Sequence, residues 1–215
     1  MRHLSISNLA VAEPEIMSYE SGKQMNTAII KKKIEKVLLR EEGFEGDAVA
    51  DLKNHGGAER AVCFYPTEHY SFWNHEFSTE LTTAAFGENI TVSGLLEEHV
   101  CIGDVYQIGE AVVTITQGRV PCNTIDRHTS VKGLFKRVME TGYTGYFAKV
   151  LKEGVIEHDS LITLVSRDTE QISVLHANKL FFQQIKNKAD IEQLLKVEAL
   201  AEKWRIHFNR IKEKL

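Results

Sequence analysis

The segment Gln117-Gly118-Arg119-Val120-Pro121-Cys122 is where this sequence concentrates reactive side chains. Gly118 and Pro121 shape a turn directly after residues 111–116 (Ala-Val-Val-Thr-Ile-Thr), which read as a β-strand. A cysteine held on a rigid turn beside an arginine is a candidate nucleophile or metal ligand, because a nearby cation favours thiolate over thiol. A thiolate can ligate a soft metal or carry sulfur. The same pattern also fits a core thiol, since free cysteines are among the most buried residues. Cys63 (in Ala61-Val62-Cys63-Phe64) and Cys101 (in Val100-Cys101-Ile102) lie among strand formers and read as small core fillers.

Three further segments carry polar groups that could meet a ligand. In residues 51–57 (Asp-Leu-Lys-Asn-His-Gly-Gly), Gly56 and Gly57 let backbone amides approach an anion, and Lys53 and His55 add charge and donors. The spacing is not that of a P-loop, and a solvated hairpin turn would look the same. In Phe86-Gly87-Glu88-Asn89-Ile90-Thr91, Asn89 can donate to a ligand from a strand start or bond its own backbone. His69, Tyr70, Trp73, Asn74 and His75 crowd one predicted helix. His69 and His75 are six apart and face different ways, unlike the i,i+4 pair of a helical zinc site.

Positioning these residues requires a β-rich frame. Strands are predicted at 33–39, 61–65, 89–92, 105–108, 111–116 and 161–165. The turns are Glu45-Gly46-Asp47, Gly103-Asp104, Gly109-Glu110 and His158-Asp159-Ser160, with a loop over 51–57. Pro66-Thr67-Glu68 opens a helix through Tyr70 and Trp73. Short, closely spaced strands with glycine turns suggest a barrel or sandwich over residues 1–167. From Asp168 the period changes. Ser173 can cap a helix bearing Val174, Ala177, Asn178, Phe181 and Ile185, and Asp190 a short one bearing Ile191, Leu194 and Leu195. Val197, Ala201, Trp204, Phe208, Ile211 and Leu215 then form an apolar stripe. Residues 168–215 therefore read as a separate three-helix domain, whose stripe either packs on the β domain or pairs with a second chain as a homodimer.

The 215 residues suffice for one large domain plus a small one. Net charge is −4, which argues against a general nucleic-acid binder; residues 168–215, with nine Lys+Arg against seven Asp+Glu, are too weakly basic to change that. An odd cysteine count with no CxxC argues against a disulfide framework and for a reducing compartment. Residues 1–8 lack the apolar core of a signal peptide, and no run reaches the roughly 18–20 apolar residues of a membrane helix. The chain is expected to be soluble and cytoplasmic, with no membrane partner.

Five motifs occur in order: Lys53-Asn54-His55-Gly56-Gly57; Tyr65-Pro66-x-Glu68-His69-Tyr70; Phe86-Gly87-Glu88-Asn89; Gly103-Asp104; and Gln117-x-Arg119-x-Pro121-Cys122. Together they resemble the MOSC domain, named after the C-terminal domain of molybdenum cofactor sulfurases. The form is similar to stand-alone bacterial YiiM-type proteins, which carry a short three-helix domain after the barrel. The likeness spans most of the chain. It departs at Gly118, where the family usually has proline, and is less crisp over residues 13–30.

The resemblance implies a mainly β, strongly curved MOSC-type barrel with the cysteine at a pocket mouth. It implies the molybdenum cofactor (molybdopterin), Cys122 as a ligand to molybdenum, and two-electron reduction of N-hydroxylated compounds. The small-molecule substrates would include bases such as 6-hydroxylaminopurine, so that the activity detoxifies N-hydroxylated bases. The superfamily also carries an association with pyridoxal phosphate binding. In this scheme Arg119 keeps Cys122 deprotonated and binds the cofactor's phosphate. Lys53, His55, Gly56 and Gly57 complete an anion cradle, Asn89 orients the pterin or substrate, and His55 supplies protons. With no flavin or haem motif visible, electrons come from a separate reductase. Two alternatives use the same residues: a sulfur carrier with a Cys122 persulfide, and a domain that binds cofactor without turnover.

Overall fold

The computed structural model describes residues 4–20, 22–50, 56–182 and 184–215. The strands run in chain order as β1 (Ser5–Val11), β2 (Glu15–Tyr19), β3 (Lys23–Thr27), β4 (Lys32–Lys33), β5 (Lys36–Arg40), β6 (Gly43–Phe44), β7 (Val62–Pro66), β8 (Ile90–Ser93), β9 (Val105–Ile108), β10 (Ala111–Gly118), β11 (Tyr146–Lys152), β12 (Gly154–Glu157) and β13 (Ile162–Ser166). The helices are α1 (Glu68–Phe77), α2 (Thr124–Thr129), α3 (Leu134–Thr141), α4 (Val174–Phe181), α5 (Lys188–Leu194) and α6 (Glu202–Lys212), with a 3₁₀ turn over Ala58–Arg60.

Eight strands form one sheet in the order β13-β9-β10-β11-β7-β8-β1-β4, a half-barrel with two edges. All its pairings are antiparallel except β7 with β8. That pair needs a crossover, and α1 supplies it. The five residues of β7 are all buried, as the run Val-Cys-Phe-Tyr-Pro implies for a strand covered on both faces. Pro66 ends this strand instead of opening the helix, which starts after Thr67. β10 is also buried along nearly its whole length and runs two residues beyond the predicted end. Its register against β11 slips between Ile115 and Gln117, a bulge immediately upstream of the Cys122 turn.

Two apolar clusters hold the molecule. The larger joins the sheet to the C-terminal helices through Ile115, Ala148, Val174, Leu180, Trp204 and Phe208. Trp204 is 1% exposed and Phe208 0%. The stripe therefore packs on its own sheet, each such side chain contributing about 1.5–3 kcal/mol of burial. Phe181 stacks on Trp204 with centroids 4.6 Å apart. The smaller cluster lies between α1, α2 and α3, around Tyr65, Trp73, Phe86, Ile125, Leu134 and Val138.

Ser173 caps α4 as expected, its Oγ accepting from the His176 amide at 3.1 Å, but α4 stops at Phe181 and leaves Ile185 outside. Asp190 does not cap α5. Asn187 does, accepting from the Ala189 and Asp190 amides, while the Asp190 carboxylate meets His176 at 2.8 Å. The predicted strand at 33–39 is split into β4 and β5, which belong to different sheets. Among the described residues, no helix is long and apolar enough to cross a membrane.

Candidate functional site

Cys122 is set by the end of β10. Gly118 pairs with Tyr146 of β11, the Arg119 amide donates to Gly145 O at 3.0 Å, and buried Pro121 turns the chain. The Cys122 carbonyl accepts from the Ile125 amide at 3.2 Å, so the thiol sits one residue ahead of the α2 cap. Cys122 is a free, half-buried cysteine, whereas Cys63 and Cys101 are fully buried, as core fillers should be. Burial pushes both core thiols up to about 11, Cys63 against the opposing pull of Arg119.

Arg119 feels both Cys63 and Cys122 electrostatically. Burial works against its charge and the surrounding acids, Cys63 and Cys122 ahead of Glu88 and Tyr65, work for it, with the result that its pKa lies above the ordinary arginine value. Its Nη1 is buried with no hydrogen-bond partner. A buried unpaired donor on a charged group costs more than 1 kcal/mol and requires an explanation.

Opposite in character is Glu88, which is 0% exposed. Its Oε1 accepts from Tyr70 Oη at 2.6 Å, Thr91 Oγ1 at 2.7 Å and the Ala84 amide at 2.8 Å. Its Oε2 is buried and accepts from nothing. The preceding Gly87 has φ +75°, and a Cβ there would meet Ile29 Cγ1 at 2.7 Å, so the turn that delivers Glu88 requires glycine. Tyr65 stacks on Phe86 at 4.1 Å and accepts from Trp73 Nε1 at 2.6 Å, which fixes the aromatic wall behind this carboxylate. His128 on α2 is half-buried. Desolvation holds its pKa below the usual histidine value, with Glu88 pulling the other way.

Cys63 also feels Lys31, whose buried ammonium pairs with Asp47. Asp47 Oδ1 also accepts from the Ala12 amide at 2.7 Å. Asn89 joins this network: its Nδ2 donates to Asp47 Oδ2 at 2.9 Å and its Oδ1 accepts from the Cys63 amide at 3.1 Å. Its amide is thus engaged with the protein, tying the start of β8 to β7 and to Asp47; of the two roles the sequence left open, ligand donor or bonding within the chain, these contacts are of the second kind.

Lys53 and His55 lie outside the described residues. Gly56 is half-buried and Gly57 has φ +111° at the start of the 3₁₀ turn. That turn docks on the strand that leads to Cys122. Glu59 O accepts from Thr116 Oγ1 at 2.7 Å, and Arg60 Nε meets Gln117 Oε1 at 3.4 Å. The Gly56-Gly57 end and the cysteine turn are therefore neighbours in the fold, as the two motifs are not in sequence. His69 has a structural partner: its Nε2 meets Glu97 Oε2 at 2.6 Å, both residues being buried.

Sequence reasoning missed three site residues. Lys31 looks like one of three solvated lysines in Lys31-Lys32-Lys33, and only tertiary packing singles it out. Glu88 stands in a noted motif whose role went to its neighbour Asn89. His128 belongs to a six-residue helix too short to show periodicity.

The donor set suits a large ligand that brings its own metal ligands. No group of three or more His, Cys, Asp or Glu that could hold a metal ion occurs among the described residues. Among the described residues, Cys122 is then the protein ligand that a metal arriving with other donors would meet. The unpartnered Arg119 Nη1 and Glu88 Oε2 would both be met by a molecule with anionic oxygens and N–H groups. A pterin carrying a phosphate and a dithiolene-bound molybdenum meets all three demands.

The family model of the MOSC domain matches residues 51–163, and that of the YiiM-like 3-alpha helix domain matches residues 172–210. The protein YflK of Bacillus subtilis (strain 168) is 44% identical to this chain, covering 98% of it and 96% of YflK. A Gibberella moniliformis (strain M3125 / FGSC 7600) protein named "Reductase" is 33% identical over 74% of this chain, and the match covers 29% of that protein. The crystal structure of YiiM from Geobacillus stearothermophilus superposes with a TM-score of 0.82 at 30% identity, covering 97% of this chain and 99% of that one.

Proposed function

The chain belongs to the MOSC domain family and carries a YiiM-like three-helix domain, and from that premise we propose that it is a molybdenum-cofactor-dependent reductase of N-hydroxylated compounds. Bases such as 6-hydroxylaminopurine are the proposed substrates, and a separate reductase is the proposed electron source. The observation that carries the proposal is the pairing, on one turn, of a half-buried free thiol with a half-buried arginine whose Nη1 is itself buried and has no partner.

When bound, the cofactor supplies the two-electron chemistry that N–O cleavage requires. Cys122 would hold the metal through Sγ. Arg119 would give its unpaired Nη1 to an anionic oxygen, and Lys53, His55, Gly56 and Gly57 would complete that cradle. Glu88 would accept an N–H of the bound heterocycle on Oε2. Lys31, already paired with Asp47, holds the Asn89–Cys63 side of the wall in place. N–O cleavage consumes protons and releases water, and a histidine kept largely neutral, such as His128, can relay a proton to the departing oxygen. His55 is the second proposed proton source.

A sulfur carrier acting without cofactor would leave Arg119 Nη1 and Glu88 Oε2 without a role, so these two atoms support a cofactor site, and turnover separates the reductase from a domain that only binds. The test is reduction of 6-hydroxylaminopurine with reduced methyl viologen as electron donor, on protein from a host that makes the cofactor. Wild type should turn over and Cys122→Ala should not. Retained turnover in Cys122→Ala would remove Cys122 from the mechanism.

A further inference from the structure

Gly118, four residues before Cys122, has no space for a side chain. An added Cβ would lie 1.8 Å from Asn178 Oδ1, 2.8 Å from Asn178 Cγ and 3.0 Å from Trp204 Cη2. Both residues belong to the C-terminal helices, Asn178 to α4 and Trp204 to α6. The backbone of Gly118 is not left-handed, so glycine answers a packing demand here.

Asn178 is 0% exposed. Its Nδ2 donates to Gly142 O at 2.8 Å and to Thr144 Oγ1 at 2.9 Å. Those acceptors lie in the turn that leads into β11, and Gly145 of that turn accepts from the Arg119 amide. One carboxamide thus presses on the start of the cysteine turn and hydrogen-bonds the segment that anchors the next residue. Its Oδ1, lying against Gly118, has no hydrogen-bond partner. A leucine would fill similar volume without burying an unpaired carbonyl. What asparagine adds is two N–H groups aimed at the 142–145 turn.

We propose that Asn178 is a positioning residue through which the three-helix domain sets the geometry of the Cys122 turn. The helices are then part of the construction of the thiol site. The inference is independent of which chemistry Cys122 performs.

The experiment is iodoacetamide alkylation of Cys122 in the full chain without cofactor, followed by peptide mass spectrometry to separate it from Cys63 and Cys101. Asn178→Ala and Asn178→Asp, the latter keeping the volume and losing the N–H groups, are compared with Leu194→Ala. Leu194 is buried in α5 and serves as a control for loss of stability in the same domain. Both Asn178 variants should alkylate several-fold faster than wild type and shift the pH profile of the reaction, whereas Leu194→Ala should leave both unchanged. An Asn178 variant matching wild type, or Leu194→Ala matching the Asn178 variants, would overturn the proposal. If Asn178→Ala does not fold, Asn178→Asp decides the matter. Gly118→Ala gives a second arm: it should lower the unfolding midpoint, and adding Asn178→Ala should recover part of that loss. Simple additivity of the two changes would show that the contact does not couple them.

Discussion

Replacing Arg119 by methionine should separate stability from ligand binding, moving the two in opposite directions. Methionine keeps much of the aliphatic stem and removes a cation whose Nη1 is buried and unpaired. The groups that hold Arg119 cationic include the Cys63 and Tyr65 acids, whose own ionisation is pushed up, Cys63 to about 11. At neutral pH both are uncharged, and Glu88 is the carboxylate left to offset the burial. Leaving a buried donor unsatisfied costs about 1–3 kcal/mol. Arg119→Met should therefore keep the cofactor-free protein at least as stable as wild type and raise it by up to about 2 kcal/mol. In a chain of this size that is an increase of about 2–4 °C in midpoint per kcal/mol. Binding should move the other way. A charge-assisted hydrogen bond is worth about 1.5–3 kcal/mol, so cofactor affinity should fall about 10- to 150-fold. The assays are thermal unfolding of protein from a cofactor-deficient host and molybdenum loading from a competent one. A variant that unfolds well below wild type while loading normally would refute the reasoning, because Arg119 would then serve the fold.

Asp104 is fully buried and accepts from the Cys101 amide at 2.9 Å and from Arg167 Nη2 at 3.0 Å. Asp104→Asn should cost about 3 kcal/mol in urea unfolding, the low end for a broken buried pair because Arg167 is partly exposed. His128 is held neutral in the fold, so the unfolded chain binds the proton more readily. The stability this contributes is present above pH 6.5, the ordinary histidine value, and is lost as pH falls from there toward the lower folded pKa. His128→Gln should flatten that acid limb in unfolding curves taken between pH 5 and 7. Ser173→Ala removes the α4 cap and should cost about 1 kcal/mol by denaturant unfolding without changing Cys122 alkylation.

The elements that carry the site were legible wherever local pattern and tertiary role agree. β9 and the start of β10 announce themselves by β-branched runs between glycine turns, and the Ser173 cap and the Trp204–Phe208 stripe by spacing. What failed was decided by packing. Asp190 looks like a cap, but Asn187 precedes it and takes the amides, which frees Asp190 for His176. β1, β2 and β3 carry weak alternation and are defined by their partners. The cysteine turn was visible because its residue types are unusual together. Its surroundings were not, because Lys31 and Glu88 are brought to the Cys63–Arg119 side of the site from segments far away in the chain, and His128 sits on a helix too short to show a pattern. Gly118 stood out in the sequence only as a residue that shapes a turn where the family usually has proline, and in the fold it is a seat for Asn178.

The central claim is tested most directly by molybdenum content per chain, measured on protein from a host with intact cofactor synthesis beside its Cys122→Ala variant. The account predicts close to one molybdenum per wild-type chain and loss of the metal in the variant. Molybdenum in neither, with a sulfur adduct on Cys122 in the wild type, would contradict it and identify a sulfur carrier.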